Sequence, residues 1–151
     1  MVESIKGKKL NKGEWAEFYV MLKLLAEGKL YTANQLLQKN YKSYLDVLKI
    51  IRQECTSQVL EYVIDSDRAV VDVKEQGSDH LLASIPLLDF RIAASVLFTG
   101  IKDAKGSSVP APDFVCDFAK VIYVSKPKAP AVQAYKKQFG GKNDIFIEVR
   151  D

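Results

Sequence analysis

The chain has 151 residues and a mass of 16.9 kDa, enough for a single domain with a substantial core. Apolar residues make up 48% and charged residues 27%, a composition typical of globular proteins rather than disordered chains. No run approaches the 18 apolar residues of a membrane-spanning helix. The net charge of +3 excludes no class of partner by itself.

Cysteine and histidine are scarce, which limits the chemistry available. The chain has two cysteines, Cys55 and Cys116, and one histidine, His80. Zinc fingers, disulfide scaffolds and histidine-based metal clusters are thereby excluded, and the reduced bacterial or archaeal cytoplasm is the expected location. We interpret both cysteines as small core residues and His80 as a surface residue. Nucleophile elbows and glycine-rich phosphate loops are also absent.

Positive charge is concentrated in two regions. Residues 118–143 contain no acidic residue, and the N-terminus is also basic. The lysines of these regions are Lys120, Lys126, Lys128, Lys136, Lys137 and Lys142 in the first, and Lys6, Lys8, Lys9 and Lys12 in the second. Clustered lysines neutralise phosphates, so a nucleic-acid footprint is one interpretation. A solvated basic loop, which Pro127 and Pro130 would suit, is the other.

The pattern predicts a helix over residues 12–27, because apolar residues recur there every three or four positions. Asn11 suits the N-cap and Gly28 the position after the helix. Val20, Met21 and Leu24 widen the apolar face, so we expect this helix to be buried on most sides.

The middle of the chain predicts strands, whereas residues 30–40 fit no element clearly. Residues 44–54 fit helical spacing almost as well as strand, but strand is favoured because two strands follow. These two, 59–64 and 69–74, flank the hairpin turn 65–68. Residues 81–88 are expected at a sheet edge because they contain Pro86.

Helices and a last strand are predicted for the second half. Asp89 is expected to cap a helix with one apolar face, formed by Phe90, Ala93, Ala94, Leu97 and Ile101. Pro112 suits the first turn of a helix over 113–124, with inward residues Phe114, Val115, Phe118 and Ile122. A short helix over 132–139 is a further expectation. Residues 144–149 alternate as a strand with apolar residues on both faces, which favours a central, covered position. A covered strand at the end of a chain suggests that the reading frame continues.

Carboxylates are the remaining candidates for chemistry. Metal-assisted phosphodiester hydrolysis needs two or three converging acids. Asp144 follows the basic region and opens a strand, and Glu14 and Glu17 lie on the first helix. Each has a simpler explanation: Glu14 can complete a capping box with Asn11, Glu17 can lie at the surface near the helix N-terminus, and Asp144 can be a turn residue. The residues alone indicate an α+β domain that is a candidate for nucleic-acid binding.

Several blocks resemble HpaII-type type II restriction endonucleases. The first is the long, specific block of Asn11-Lys12-Gly13-Glu14-Trp15, Glu17, Tyr19, Lys23-Leu24-Leu25, Gly28 and Lys29-Leu30-Tyr31. Shorter matches are Leu48-Lys49-Ile50-Ile51-Arg52 and the group Lys142, Asp144 and Ile145. Residues 55–129 match only in pattern.

The resemblance implies an α+β fold of the PD-(D/E)XK-like nuclease type, and magnesium-dependent cleavage of double-stranded DNA at CCGG. It implies that residues 1–151 are a single domain with an incomplete core, the N-terminal part of a longer enzyme. Asp144 would be the first acidic metal ligand, with Asn143 where the motif often has proline. The catalytic lysine strand would fall beyond residue 151, so this fragment alone is expected to be inactive.

The same resemblance assigns supporting roles. Glu14 and Glu17 look like the first-helix acids near the metal, and which of them serves it stays open, with Glu17 preferred. Phosphate contacts would come from Lys126, Lys128, Lys136, Lys137 and Lys142. Base-reading residues could come from the 65–68 hairpin or from beyond residue 151. No membrane is implied, and the oligomeric state, a homodimer included, is open. The alternatives are a non-catalytic DNA-binding module and a protein-interaction domain that uses helices 89–102 and 113–124.

Overall fold

The computed structural model describes residues 9–33, 39–55, 58–106, 108–110, 112–124 and 145–150. The elements in these residues follow one another as β1 (Lys9–Asn11), α1 (Lys12–Glu27), β2 (Lys29–Ala33), β3 (Lys39–Cys55), β4 (Gln58–Asp65), β5 (Val70–Glu75), β6 (Leu81–Pro86), α2 (Leu87–Asp103), β7 (Ser108–Pro110), α3 (Asp113–Val121) and β8 (Ile145–Arg150). The described part of the chain is therefore α+β, as the sequence predicts.

The long strand β3 organises an antiparallel sheet. The main sheet has six strands, in the order β2-β3-β4-β5-β6 with β8 paired to β3, and β1 and β7 form a separate pair. Asp46 is in register with both Lys29 of β2 and Arg150 of β8, so these two strands lie on opposite edges of β3. Arg52 is likewise in register with Leu60 of β4 and with β8. Strands β2 and β4 therefore share one edge of β3, and β8 lies along the other.

One face of the sheet carries the core. Alternate residues on β3, β4 and β5 are fully buried and cluster with the apolar faces of the helices; they include Ile50, Leu60, Tyr62, Val71 and Val73. The other face is mixed: half-buried Ile51 and Val63 lie opposite Glu61 and Lys49, and an ion pair joins Lys49 Nζ to Glu61 Oε2 at 3.3 Å. Two layers result, with helices covering a single side of the sheet.

Helix α1 has the predicted bounds, Lys12–Glu27. Gly28 has a φ of +69° and its N–H donates to the Leu24 carbonyl at 2.8 Å, the left-handed helix end that glycine allows. Met21 and Leu24 are buried as expected, but Val20 is 41% exposed, so α1 keeps a solvent-facing side. The side chain of Asn11, the predicted N-cap, lies outside the described set.

Helix α2 begins at Leu87, and Asp89 is not its cap. Pro86 occupies the N-cap position without a side-chain cap, and Asp89 lies in the first turn. The Leu87 N–H donates to the carbonyl of Ala69 at 2.9 Å, so a backbone group of the β4–β5 turn replaces a side-chain cap. The predicted inward residues Phe90, Ala93, Ala94 and Leu97 are buried, and Ile101 is partly buried against the core.

Helix α3 is shorter than predicted and ends at Val121. The Val124 N–H donates to the Ala119 carbonyl at 2.8 Å, and Tyr123 has a φ of +65°, so the chain leaves the helix there. Val115, Phe118 and Ile122 are buried as expected, but Phe114 is 46% exposed. Its ring lies nearly parallel to that of Phe118, with centroids 6.4 Å apart.

Most predicted strands are confirmed. Residues 44–54 belong to β3, and within the described residues β6 lies at an edge of the sheet. The predicted hairpin joins β4 to β5, but its turn is 66–69 rather than 65–68, because Asp65 still pairs with Val70. Residues 30–33, from the segment 30–40 that had no clear assignment, belong to β2 (Lys29–Ala33). Within the described residues β8 pairs only with β3, so it lies at an edge there rather than in the predicted central position. The predicted helix over 132–139 falls outside the described residues.

Candidate functional site

The two predicted acids of α1 lie near its beginning. Glu14 is in the first turn and Glu17 follows three residues later, so both project from the same side of the helix. Both are half-buried, and each takes part in an interaction. A position beside the buried Trp15 and Phe18 places these carboxylates at the margin of the core rather than on an open face.

The other predicted site residues lie outside the described residues. They are Asp144 and the lysines Lys126, Lys128, Lys136, Lys137 and Lys142. What the structure describes is the strand that follows Asp144: Ile145 opens β8 opposite Arg52 of β3. Helix α1, which carries Glu14 and Glu17, contacts β3, and β8 pairs with β3. The helix of the two acids and the strand that follows Asp144 therefore share β3 as a neighbour. Of the N-terminal lysines, Lys9 lies in β1 and Lys12 opens α1.

An acid-lined cleft was not anticipated. It has a volume of about 530 Å³ and lies where α1 and β2 meet the β4–β5 turn. Its acidic lining residues are Glu27, Asp46, Asp65, Asp67 and Asp72. Nevertheless, no group of three or more His, Cys, Asp or Glu residues in the described ranges could hold a metal ion. The cleft therefore does not supply the predicted metal site.

The 65–68 turn, a candidate for base reading, is held by local contacts. The Arg68 N–H donates to Asp65 Oδ1 at 3.1 Å, and its Nη1 donates to Asp72 Oδ2 at 3.2 Å. Ser84 Oγ donates to Asp72 Oδ1 at 2.8 Å, which extends the contacts to β6. Because the Arg68 side chain is 56% exposed, these contacts leave much of it open to solvent.

A polar pair in the core was missed by sequence reasoning. Arg52 is 3% exposed and Tyr62 is fully buried, and Arg52 hydrogen-bonds the Tyr62 side chain. The Tyr62 hydroxyl donates to the carbonyl of Ile122 at 2.8 Å. One signal of this pair is present in the sequence, because Arg52 directly follows the apolar residues Ile50 and Ile51 in a predicted strand. A charged side chain buried at such a position requires a polar partner.

Burial raises the pKa of Tyr62 to about 12 from its ordinary value of 10.0, although the charge and hydrogen bond of Arg52 act in the opposite direction. The neutral phenol is therefore favoured in the folded state. We expect Tyr62 to stabilise the fold fully below pH 10 and to lose that contribution as pH rises from 10 towards 12, by roughly 2–3 kcal/mol in total. Urea unfolding across this range, with Tyr62→Phe as reference, checks the prediction. Identical alkaline losses in the two proteins would contradict it.

The sequence comparisons cover nearly the whole chain. The model of the HpaII restriction endonuclease family matches residues 11–150. The chain belongs to this family, as the resemblance of the α1 block implies. Among known proteins, it is 30% identical over 144 residues to the type II restriction enzyme HpaII of Haemophilus parainfluenzae. That match covers 93% of this chain and 36% of the relative, so the chain spans little more than a third of the relative's length.

Two further findings concern known structures and membrane-spanning helices. No solved structure matches the chain significantly. The helices α1, α2 and α3, which are those of the described ranges, are too short or too polar to cross a membrane.

Proposed function

We propose that this chain is part of a type II restriction endonuclease that cleaves double-stranded DNA at CCGG with Mg²⁺. The observation that carries the proposal is the family match across residues 11–150, which includes both α1 acids and the strand after Asp144. The PD-(D/E)XK-like assignment, with residues 1–151 as one N-terminal domain, belongs to the same proposal. So does a bacterial or archaeal cytoplasmic location.

The donors present suit magnesium. Carboxylate oxygens are the ligands that Mg²⁺ prefers, and Glu14 and Glu17 offer two half-buried carboxylates on one side of α1. Asp144 would hold the metal, together with Glu17 or Glu14. Bound Mg²⁺ would activate water and stabilise negative charge on the phosphodiester. The described residues contain no group of three or more acids that could hold a metal ion, and the proposed site combines the α1 acids with Asp144.

The basic region supports DNA as the substrate. Residues 118–143 contain six lysines and no acidic residue, and they immediately precede Asp144. Phosphate contacts from these lysines would hold the duplex beside the metal ligand without reading its sequence. The candidates are Lys126, Lys128, Lys136, Lys137 and Lys142.

A protein-interaction domain is the second candidate. Large apolar side chains are exposed on α2 and α3, among them Leu88 at 56% and Phe98 at 50%. Exposed apolar surface of this kind is typical of interfaces. This role predicts no DNA affinity at low salt.

Plasmid cleavage in Mg²⁺ tests the proposed function. The 151-residue chain is compared with the same chain extended along its reading frame, on plasmids with and without CCGG sites. We expect only the extended protein to cut, and only the plasmid that contains CCGG. Cleavage by the 151-residue chain would contradict the proposed incompleteness of the site. If neither protein cuts, the nuclease proposal fails.

A further inference from the structure

Strands β2 and β3 form a two-stranded segment at one end of the main sheet. Between residues 39 and 45, β3 pairs with β2, whereas its pairing with β8 begins at Asp46 and its pairing with β4 begins at Lys49. In the part of the chain that the structure describes, residues 29–33 and 39–45 are thus an antiparallel ribbon without a third strand, which we call the β2–β3 ribbon. A two-stranded ribbon fits the major groove of DNA, which is about 12 Å wide.

The sequence of this region is basic and rich in tyrosine. Residues 28–45 contain three lysines and no acidic residue, since the last acid before them is Glu27 and the first after them is Asp46. The same residues contain three tyrosines. Lysines neutralise phosphates, and aromatic rings attract and hold lysine ammonium groups. The charge of this region therefore complements the backbone of a nucleic acid.

Three of these side chains form one cluster on a single face of the β2–β3 ribbon. Tyr31 and Tyr44 are in register, and their ring centroids lie 5.8 Å apart in an edge-to-face arrangement. Lys29 lies two residues before Tyr31 on the same strand, and its Nζ is 4.5 Å from the centroid of the Tyr44 ring. Tyr44 is 40% exposed, so the cluster lies at the surface. The ring attracts the ammonium without neutralising it, so Lys29 keeps its charge for an anion.

The acid-lined cleft limits this surface on one side. Lys29 is in register with Asp46, and both residues line the cleft together with Asp65 and Asp67. Because carboxylates repel phosphates, a duplex would contact the ribbon from Lys29 towards its distal residues rather than enter the cleft.

We propose that the β2–β3 ribbon contacts the DNA backbone, with Lys29 bound to a phosphate and Tyr44 as the positioning residue whose ring holds the lysine. The inference rests on the proposed function, in which duplex DNA is the substrate, and it adds a second contact region to the lysines of residues 118–143. Phosphate contacts fix the orientation of a protein on the duplex without reading its sequence. A lysine that only discouraged intermolecular pairing of an edge strand would not alter DNA affinity when replaced.

The DNA affinity of the 151-residue chain tests the role of the lysine. The substitution is Lys29→Gln, and Lys102→Gln, at an exposed lysine in the last turn of α2, is the matched control. Fluorescence anisotropy is measured between about 50 and 200 mM salt on two duplexes of equal length, one with CCGG and one without. At the lowest salt we expect Lys29→Gln to lower the affinity for both duplexes about three- to tenfold. The slope of log affinity against log salt should become shallower by about 0.9, the value for one phosphate contact.

Two substitutions of Tyr44 test the role of the ring. Tyr44→Phe keeps the ring face and should bind DNA within about twofold of the unsubstituted chain. Tyr44→Leu removes the ring and should lower affinity about two- to fivefold, with no further loss when it is combined with Lys29→Gln, because it acts through the lysine. Equal losses for the two tyrosine variants would overturn the positioning role. For Lys29→Gln, an effect no larger than that of Lys102→Gln, or a loss confined to the CCGG duplex, would overturn the phosphate contact.

Cleavage by the chain extended along its reading frame separates this proposal from the proposed function. In that protein Lys29→Gln should raise KM for DNA about three- to tenfold and change kcat less than about twofold, because a phosphate contact stabilises the bound substrate and the transition state alike. If the extended chain cuts no DNA but Lys29→Gln lowers affinity as expected, the nuclease proposal fails and the ribbon contact stands. If the unsubstituted 151-residue chain binds neither duplex, the ribbon proposal is overturned, and plasmid cleavage decides the nuclease function separately.

Discussion

We expect Asp144→Asn to lower the DNA cleavage rate of the chain extended along its reading frame by about 10²- to 10³-fold. Asparagine keeps the shape of the side chain but removes the negative charge that would hold Mg²⁺. Losing a metal's charge stabilisation costs several kcal/mol, which corresponds to this range of rates. DNA affinity should stay within about threefold, because the proposed phosphate contacts are made by lysines. Single-turnover cleavage and gel-shift titration measure the two effects separately.

A matched substitution controls for the loss of one negative charge. Asp117 lies exposed on α3 and is not among the proposed ligands, so Asp117→Asn should leave cleavage unchanged. Equal rates for Asp144→Asn and the unsubstituted enzyme would remove Asp144 from the metal site. In that case other carboxylates of the enzyme would have to hold the metal.

We expect Trp15→Ala to destabilise the fold by about 3–5 kcal/mol, a large share of the 5–15 kcal/mol typical of a domain. Trp15 has no exposed surface, and its ring lies 6.4 Å from that of Phe18. Truncation would lose its apolar burial and leave a cavity between α1 and the rest of the core. Urea unfolding followed by circular dichroism gives the change in free energy.

Val20→Ala on the same helix is the control for helix propensity. Val20 is 41% exposed, so its truncation should change the unfolding free energy by less than about 0.5 kcal/mol. A loss below about 1 kcal/mol for Trp15→Ala would mean that α1 packs less tightly against the core than the structure indicates.

Local signals predicted the helices and the hairpin well. The bounds of α1 follow from its apolar spacing and from Gly28, and both are features of neighbouring residues. The start of α2 was misplaced because the group that satisfies Leu87 is the carbonyl of Ala69, in a different turn. The pairing of β8 with β3 was also not predicted, since strand order depends on a partner distant in sequence.

In the candidate site, too, positions set by neighbouring residues could be predicted, whereas contacts between distant residues could not. The positions of Glu14 and Glu17 on α1 could be predicted, because a helix places residues three apart on one side. Arg52 was visible only as part of an apolar block. Its burial depends on Tyr62, which lies on another strand, and no local pattern brings these two residues together.

The order of strands along β3 has a consequence for biosynthesis. Strands β2 and β4 are neighbours of β3 in sequence, so one edge of β3 is paired soon after it is made. The opposite edge receives β8, which is synthesised only after α2 and α3. Pairing over so long a separation is slow, and an apolar strand edge that waits for its partner is prone to intermolecular pairing. The nascent chain would therefore depend on chaperones, or on fast completion of synthesis, until the strand following Asp144 closes this edge.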